Sequence, residues 1–582
     1  MTTQQPTMTA ETRPNDEENA MPIFCACLTT TSTDRRSVMG VAPASVVSDA
    51  HGTHTHPRFW RHTMAATVPV DTIRALVQSC EAAGCIGSGL FFADKLVSFR
   101  NDDSDVYALA KLLFAKREFR RAVHVLSQSE AMRTNIRFRL LAGRCLMEVG
   151  DFDGALAVVG DDDEDGVAMD RHEDSATELS VQSAVCFLRG CIFEALENRH
   201  RSVYWFKQAV LQDVRCYDAF SRIVQERMLP LEEELAFFQQ LVFPPGYEWL
   251  RDLYACEISQ HSHEKDAVSE HAAAAASIGL HDNSNVLACQ AQHAYNCNQF
   301  QAAHDLSQRI MEKDPYHDGV LPVYLCSLVE LKRKSDLFYC AHQLVESYPN
   351  KAIAWFAVAC YYYLIGKYDI ARRYFSKSTS VDGHFVSSWV GFGHAFGAQD
   401  ECDQAMSAYR TAERLFKGSH VPLLCLGIEF MRTNNLKGAM SLFEQSLNAC
   451  PTDPMVYNEI AVAHYRNGAY VEAIEGFTKA LSLVPPDAVS PWEPTLFNLG
   501  HALRKIGEIA KAREYYLRAQ AVNPRNASVH TAIGLTYHLE GDRHAAIDQY
   551  HKALGLLPRN TLTNDLLTRC IAEVVDDCKL VA

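Results

Sequence analysis

The sequence predicts an all-α fold, a superhelical solenoid of antiparallel helix hairpins, and three observations carry that prediction. From Val70 onward apolar residues recur with a helical period, interrupted by Gly or Pro every 12 to 20 residues. Prolines fall in a register of 34: Pro315 and Pro349, then Pro451 and Pro485 after a gap of 102, then Pro524 and Pro558. A fixed period of that length marks a repeat architecture, in which no single hairpin can bury its own apolar face and neighbours must share a core. The composition agrees, since 48% of the 582 residues are hydrophobic and 22% are charged. The longest strongly apolar stretch is the 12-residue WFAVACYYYLIG at 355–366. A bilayer span needs about 20, so no membrane segment is expected.

Residues 1–68 are rich in Thr, Pro, Ala and His without a sustained apolar period, and a disordered tail is expected there. Its short apolar patch, MPIFCACLTT, follows Asp16, Glu17 and Glu18, the opposite of the basic start of a secretory signal. Met64, just before the first helical pattern, is a second candidate start. His51, His54 and His56 sit among Thr and Gly with no Cys at ligand spacing, so no metal site is expected.

Residues 70–225 read as tetratricopeptide-like hairpins. Residues 70–99 supply the first, and Ala110 with Leu113 and Ala122 marks the second. Gly143 with Leu146 and Ala155 marks another, and Gly190 with Phe193, Phe206 and Ala209 the last. The run GDDDEDGVAMDRHEDS at 160–175 has too little apolar content to pack and reads as a solvated acidic loop. Residues 226–283 read as an irregular, degenerate helical linker whose Ala run ends in a helix.

Eight 34-residue units plus five inserted residues then fill 284–560. Their small position is Ala291, Leu325, Ala359, Gly393, Gly427, Ala461, Gly500 and Gly534, the insertion PPDAVSPWEP stretching one interval to 39. In the last unit His530, Ile533, Gly534, Tyr537, Ala546, Tyr550, Ala553 and Pro558 follow the tetratricopeptide pattern. The small residue lets the first helix of the hairpin (A) approach the second (B), aromatics fill the groove between them, and proline ends helix B. The Leu325 unit departs furthest from the pattern. Residues 561–582 read as a capping helix and tail.

No catalytic motif is present: no G-x-S-x-G, no phosphate-binding G-x-x-x-x-G-K-[ST], no H-E-x-x-H. GFGHAFG at 391–397 lies inside a helix A, where its glycines have packing roles. We therefore expect no enzyme and no cofactor. The net charge of −16 repels phosphate backbones, so no nucleic-acid partner is expected. The 19 cysteines are an odd number with no C-x-x-C, which points to reduced core residues in a reducing compartment.

What a solenoid offers is a groove. Positions 5, 9 and 12 of each unit share one face of helix A, turned away from helix B. They give Phe356, Cys360 and Tyr363; Val390, His394 and Gly397; Leu424, Ile428 and Met431; Asn458, Val462 and Tyr465; Phe497, His501 and Arg504; Thr531, Leu535 and His538. No unit has the Lys-then-Asn pair that clamps a chaperone-tail carboxylate. The alternative, a transport or co-chaperone tetratricopeptide adaptor, differs in the partners it would purify with.

Several strings exceed what the repeat demands: WFAVACYYYLIG, ARRYFSKST (371–379), MEKDPYH (311–317), DQAMSAYRTAERLFKGSH (403–420), TNN (433–435) and WEPTLFNLGHALRK (492–505). NAS followed by AIG (526–534) joins them, as do LFFADK (90–95), FLRG (187–190) and CYDAF (216–220). In that order they resemble the sixth subunits of the anaphase-promoting complex, the cell-division-cycle-sixteen type; the tail, the acidic loop and residues 230–279 depart from it. The resemblance implies a non-catalytic scaffold of a multisubunit ubiquitin ligase controlling mitosis, found in nucleus and cytoplasm. It implies a homodimer through the N-terminal hairpins, and a C-terminal superhelix that encloses the N-terminus of a small partner subunit among other subunits of the complex. Carried onto this chain, the groove residues are Tyr363, His394, Asn458, Tyr465, Asn498, His501 and Arg504. Replacing Asn458 and His501 together by Ala is expected to weaken capture without unfolding the solenoid.

Overall fold

The computed structural model describes residues 70–160, 179–262, 267–484 and 489–581. The expected tail at 1–68, with its histidine run and Met64, lies outside the described residues. So do all but the first residue of the acidic loop and the start of the insertion before Trp492. Among the described residues there are thirty α-helices and no strand. They fall into two compact units, one ending at Ile223 and one from Val224 onward apart from residues 240–242.

The first unit holds four hairpins: Val70–Ala82 with Ile86–Arg100, Asp103–Ala115 with Phe119–Ser127, Ile136–Val149 with Phe152–Val159, and Val181–Ala195 with Arg199–Gln212. A single-turn helix, Ala131–Thr134, stands between the second and third. Val77, Leu90, Ala93, Leu109, Leu112, Leu113, Ala122 and Cys145 form one buried cluster across three hairpins, the sharing that the repeat period demands. Arg74 of the first hairpin donates to both carboxylate oxygens of the buried Asp105 of the second at 2.8 Å. A Cβ on Gly190 would stand 2.4 Å from the Phe206 ring, so the small residue is what lets these two helices touch.

In the second unit, residues 226–283 are more regular than expected. They form the helices Leu231–Gln239, Glu248–Ser259 and Ala267–Ser277, the last built on the Ala run. The pair Glu248–Ser259 and Ala267–Ser277 packs as a hairpin beneath the repeats, with the Asn296 side-chain amide donating to the Gln260 carbonyl at 2.9 Å.

Eight helix pairs follow, from Ser284–Asn296 and Phe300–Lys313 to Ala527–Glu540 and Arg543–Leu556, and Thr561–Val581 packs on the last of them. The Leu325 repeat has a short helix A, Leu321–Glu330, because Pro322 lacks an N–H and fits only the first turn. One buried cluster runs from Ala291 to Ala395 without a break between repeats. The insertion ends in a 3-10 turn, Ser490–Trp492, that drives Trp492 into the core beside Met455, Ala480 and Val484, so the extra residues fill the preceding repeat.

The turns between the paired helices share a backbone conformation. Position 15, where helix A turns into helix B, has positive φ in all eight repeats: Asn298, Lys332, Gly366, Asp400, Asn434, Gly468, Gly507 and Gly541. Gly, Asn and Asp tolerate that left-handed conformation; Lys332, at φ 55, does so at a steric cost.

Candidate partner-binding groove

Consecutive A helices stand side by side in the second unit and form a continuous wall. Arg432 Nη1 donates to the Gly397 carbonyl at 2.8 Å, and Arg466 Nη1 donates to the Met431 carbonyl at 3.1 Å. Each arginine, at position 13, ties its own repeat to the last turn of the preceding helix A. Thr495 does the same from the far side, its hydroxyl donating to the Asn458 side-chain oxygen at 2.8 Å.

The positions chosen at the 5, 9, 12 spacing lie on this wall, but most of them are built into it. Phe356, Cys360, Val390, His394, Leu424, Met431, Asn458, Phe497 and Thr531 are buried. Phe356 packs between the rings of Phe375 and Phe385. Asn458 accepts from Thr495 and donates to Glu459 Oε1 at 2.9 Å. Both Asn458 and His501 are bonded into the wall, so replacing them together by Ala removes wall bonds as well as groove groups.

Two polar clusters emerge. In the first, the Tyr409 hydroxyl lies 2.7 Å from Nδ1 of the buried His394, and Tyr363 lies near enough to raise the Tyr409 phenol further. Burial pushes the Tyr363 and Tyr409 phenols above their ordinary range, so both hydroxyls stay protonated. The second cluster has the Tyr516 hydroxyl 2.7 Å from Nδ1 of His501, with Phe497 edge-on to the imidazole and Arg504 beside Tyr516. Burial first, then the charges of Arg504 and Lys505, push His501 down to about 3, so this imidazole is neutral at physiological pH.

Tyr465 is half-buried and edge-on to Tyr470. Asn498 is half-buried and makes no side-chain hydrogen bond among the described residues. Buried Nε of Arg504 likewise has no hydrogen-bond partner among the described residues. Glu459, next to Asn458, was not among the chosen positions. Desolvation raises its carboxyl pKa, against the opposing bond from Asn458 and the charge of Arg466, although part of its surface is open to solvent.

The helix-B tyrosines are the larger omission, and their signal is legible once known. Position 24 is Tyr in the three repeats whose helix A has a His at position 9 or 12, and Phe in the repeats of Phe375, Phe443 and Phe477, which have none there. His394 meets Tyr409, His501 meets Tyr516, and His538 faces Tyr550 at 3.5 Å. A hydroxyl reaches through the hairpin only where an imidazole awaits it, as buried polar groups require partners. The wall is thus a desolvated surface with a few oriented polar groups, suited to holding a peptide segment.

Comparison with known proteins agrees with this architecture. Residues 86–162 match the family described as "Anaphase-promoting complex, cyclosome, subunit 3", and residues 424–488 and 494–526 match the tetratricopeptide repeat. The chain is 39% identical to "Anaphase-promoting complex subunit 6" of Arabidopsis thaliana, over 88% of this chain and 97% of that protein. It is 35% identical to "Cell division cycle protein 16 homolog" of Homo sapiens, over 84% of this chain and 82% of that one. Among solved structures, one titled "Crystal structure of APC/C hetero-tetramer Cut9-Hcn1" aligns with a TM-score of 0.74 at 31% identity, covering 87% of this chain and 97% of the matched chain.

Proposed function

The chain belongs to the family of anaphase-promoting complex subunit 6, and from that membership we propose that it is a scaffold subunit of this ubiquitin ligase. It works by holding other subunits and carries out no chemistry of its own. The observation that carries the reading is the unbroken wall of A helices from Ala352–Leu364 to Ala527–Glu540, desolvated along its length yet offering Asn498 and Arg504 Nε without partners. A wall of that kind favours an extended chain end whose backbone can take up the free donors. The solved Cut9–Hcn1 hetero-tetramer supports a partner of this kind, with Hcn1 as the candidate.

Homodimerisation falls to the N-terminal hairpins. It is supported by exposed Phe91, Phe99 and Leu76 on the first of them, apolar side chains that a second copy would cover. A reducing nuclear or cytoplasmic setting is supported by the use of cysteines such as Cys145, Cys360 and Cys425 as buried core residues.

The experiment is binding of an Hcn1-type small subunit to the purified chain, with Asn498→Ala and Arg504→Ala together in place of the wall-bonded pair. We expect affinity to fall about tenfold or more, since each lost hydrogen bond to a charged or amide group is worth about 1–2 kcal/mol. The melting temperature should stay within about 2 °C of the parent. Undiminished affinity removes these residues from the groove.

A further inference from the structure

One contact in the second unit joins points 191 residues apart in the chain. The Gly418 N–H donates to the Arg227 carbonyl at 2.9 Å, and Arg227 Nη2 donates back to the Gly418 carbonyl at 3.1 Å. Gly418 lies between the helices Cys402–Leu415 and Val421–Arg432, whereas Arg227 precedes the helix Leu231–Gln239. Five hairpins separate the two sites. Packed helices stand about 10 Å apart, so a straight stack of five hairpins would hold these sites roughly 50 Å from each other. Their direct bonding means that the stack has curled back onto its own beginning and closed a turn.

The joint is closely fitted. A Cβ on Gly418 would stand 2.2 Å from the Leu229 carbonyl oxygen and 2.3 Å from that of Arg227, so only glycine allows the two backbones to meet. Arg227 itself takes positive φ, 48°, to present its carbonyl. Met228 and Leu229 are buried behind it, as are Phe416, Ser419 and His420 on the opposite side. One buried carboxylate beside the joint is unsatisfied. The carboxylate of Glu234, 1% exposed, has no hydrogen-bond partner among the described residues, and Arg227 Nη1 stands 3.9 Å away, too far for a good bond.

We propose that residues 226–234 are a clasp that latches onto Gly418, closes one turn of the superhelix, and retains a chain end held along the A-helix wall until the latch opens. The retention rests on the partner reading given above; the latch does not. A closed turn leaves a bound segment only the slow route along the wall, while an opened one lets it leave sideways. Arg227, which meets Gly418 through both its backbone carbonyl and its guanidinium, is the group whose loss opens the turn.

The test compares the full chain with the double variant Arg227→Met, Glu234→Gln, which removes the side-chain half of the latch and leaves the backbone bond, and with Gly418→Ala, whose Cβ blocks the backbone approach. Hydrogen exchange is followed by mass spectrometry. Peptides covering 226–234 and 416–420 should exchange faster together in the double variant, with the helices Ala352–Leu364 and Val386–Gly397 as protected as before. Unchanged exchange at 416–420 overturns the clasp. Dissociation of a synthetic amino-terminal peptide of Hcn1 should be at least about tenfold faster from the double variant, the effect of losing one charge-assisted hydrogen bond. Equal dissociation despite faster exchange overturns retention. Should the parent chain fail to bind that peptide, the partner reading falls together with retention, and the exchange data decide the latch alone.

Discussion

His501 shows how far a single side chain of this protein depends on its enclosure. Its imidazole is held to a pKa of about 3, against about 6.5 in an unfolded chain. Below pH 6.5 the unfolded chain takes up a proton that the folded chain refuses, so the stability present above pH 6.5 is lost as pH falls toward 3. At pH 5 the loss is about 1–2 kcal/mol. His501→Gln, which keeps a group able to meet the Tyr516 hydroxyl, should narrow the difference in melting temperature between pH 7.5 and pH 5.0. An unchanged difference would show that other groups carry it. At this scale the sequence is only partly informative. The i, i+4, i+7 spacing finds the wall residues because it follows from helix geometry. It does not tell whether Asn458 faces solvent or Thr495, because exposure there depends on the curvature of the stack. The Tyr409 and Tyr516 hydroxyls come from the opposite helix and are invisible to any pattern confined to helix A.

Among the elements, hairpin pairing was readable because the 34-residue register repeats the packing requirement eight times. The insertion shows in the sequence only as a lengthened interval; its Trp492 is core because a large apolar side chain beside a partly filled repeat gains more from burial than from solvent. The A-to-B turn escaped because Asn, Lys, Gly and Asp share no side-chain chemistry at position 15; what they share is a backbone angle. Lys332 is the one poorly suited member. Lys332→Gly should raise stability by about 0.5–1 kcal/mol, the relief of left-handed strain less the backbone entropy of glycine, read from urea unfolding. The same change at Leu331, just before the turn, should destabilise, since the preference belongs to that one residue.

At the scale of the whole chain, stability is a sum over neighbours, so the ends matter more than the middle. The last helix, Thr561–Val581, covers Ala546 and Tyr550 with Leu567 and Cys570. Ending the chain at Asn560 should expose that face, lower the melting temperature by several degrees and raise aggregation in light scattering. Hydrogen exchange should then show faster opening in Arg543–Leu556 while Ala352–Leu364 keeps its protection. A uniform change along the chain would mean that the repeats unfold as one body.

The unbroken core from Ala291 to Ala395 makes the repeat stack a spring, with hairpins loaded in series. Pulled from its ends in an optical trap, such a spring should lengthen in hairpin-sized steps. Each 34-residue repeat should release roughly 110 Å, its extended length less the thickness it occupied when folded. The Gly418–Arg227 joint is a parallel link that bears load for five hairpins at once. Those five should stay silent until the link yields, and then give way in quick succession.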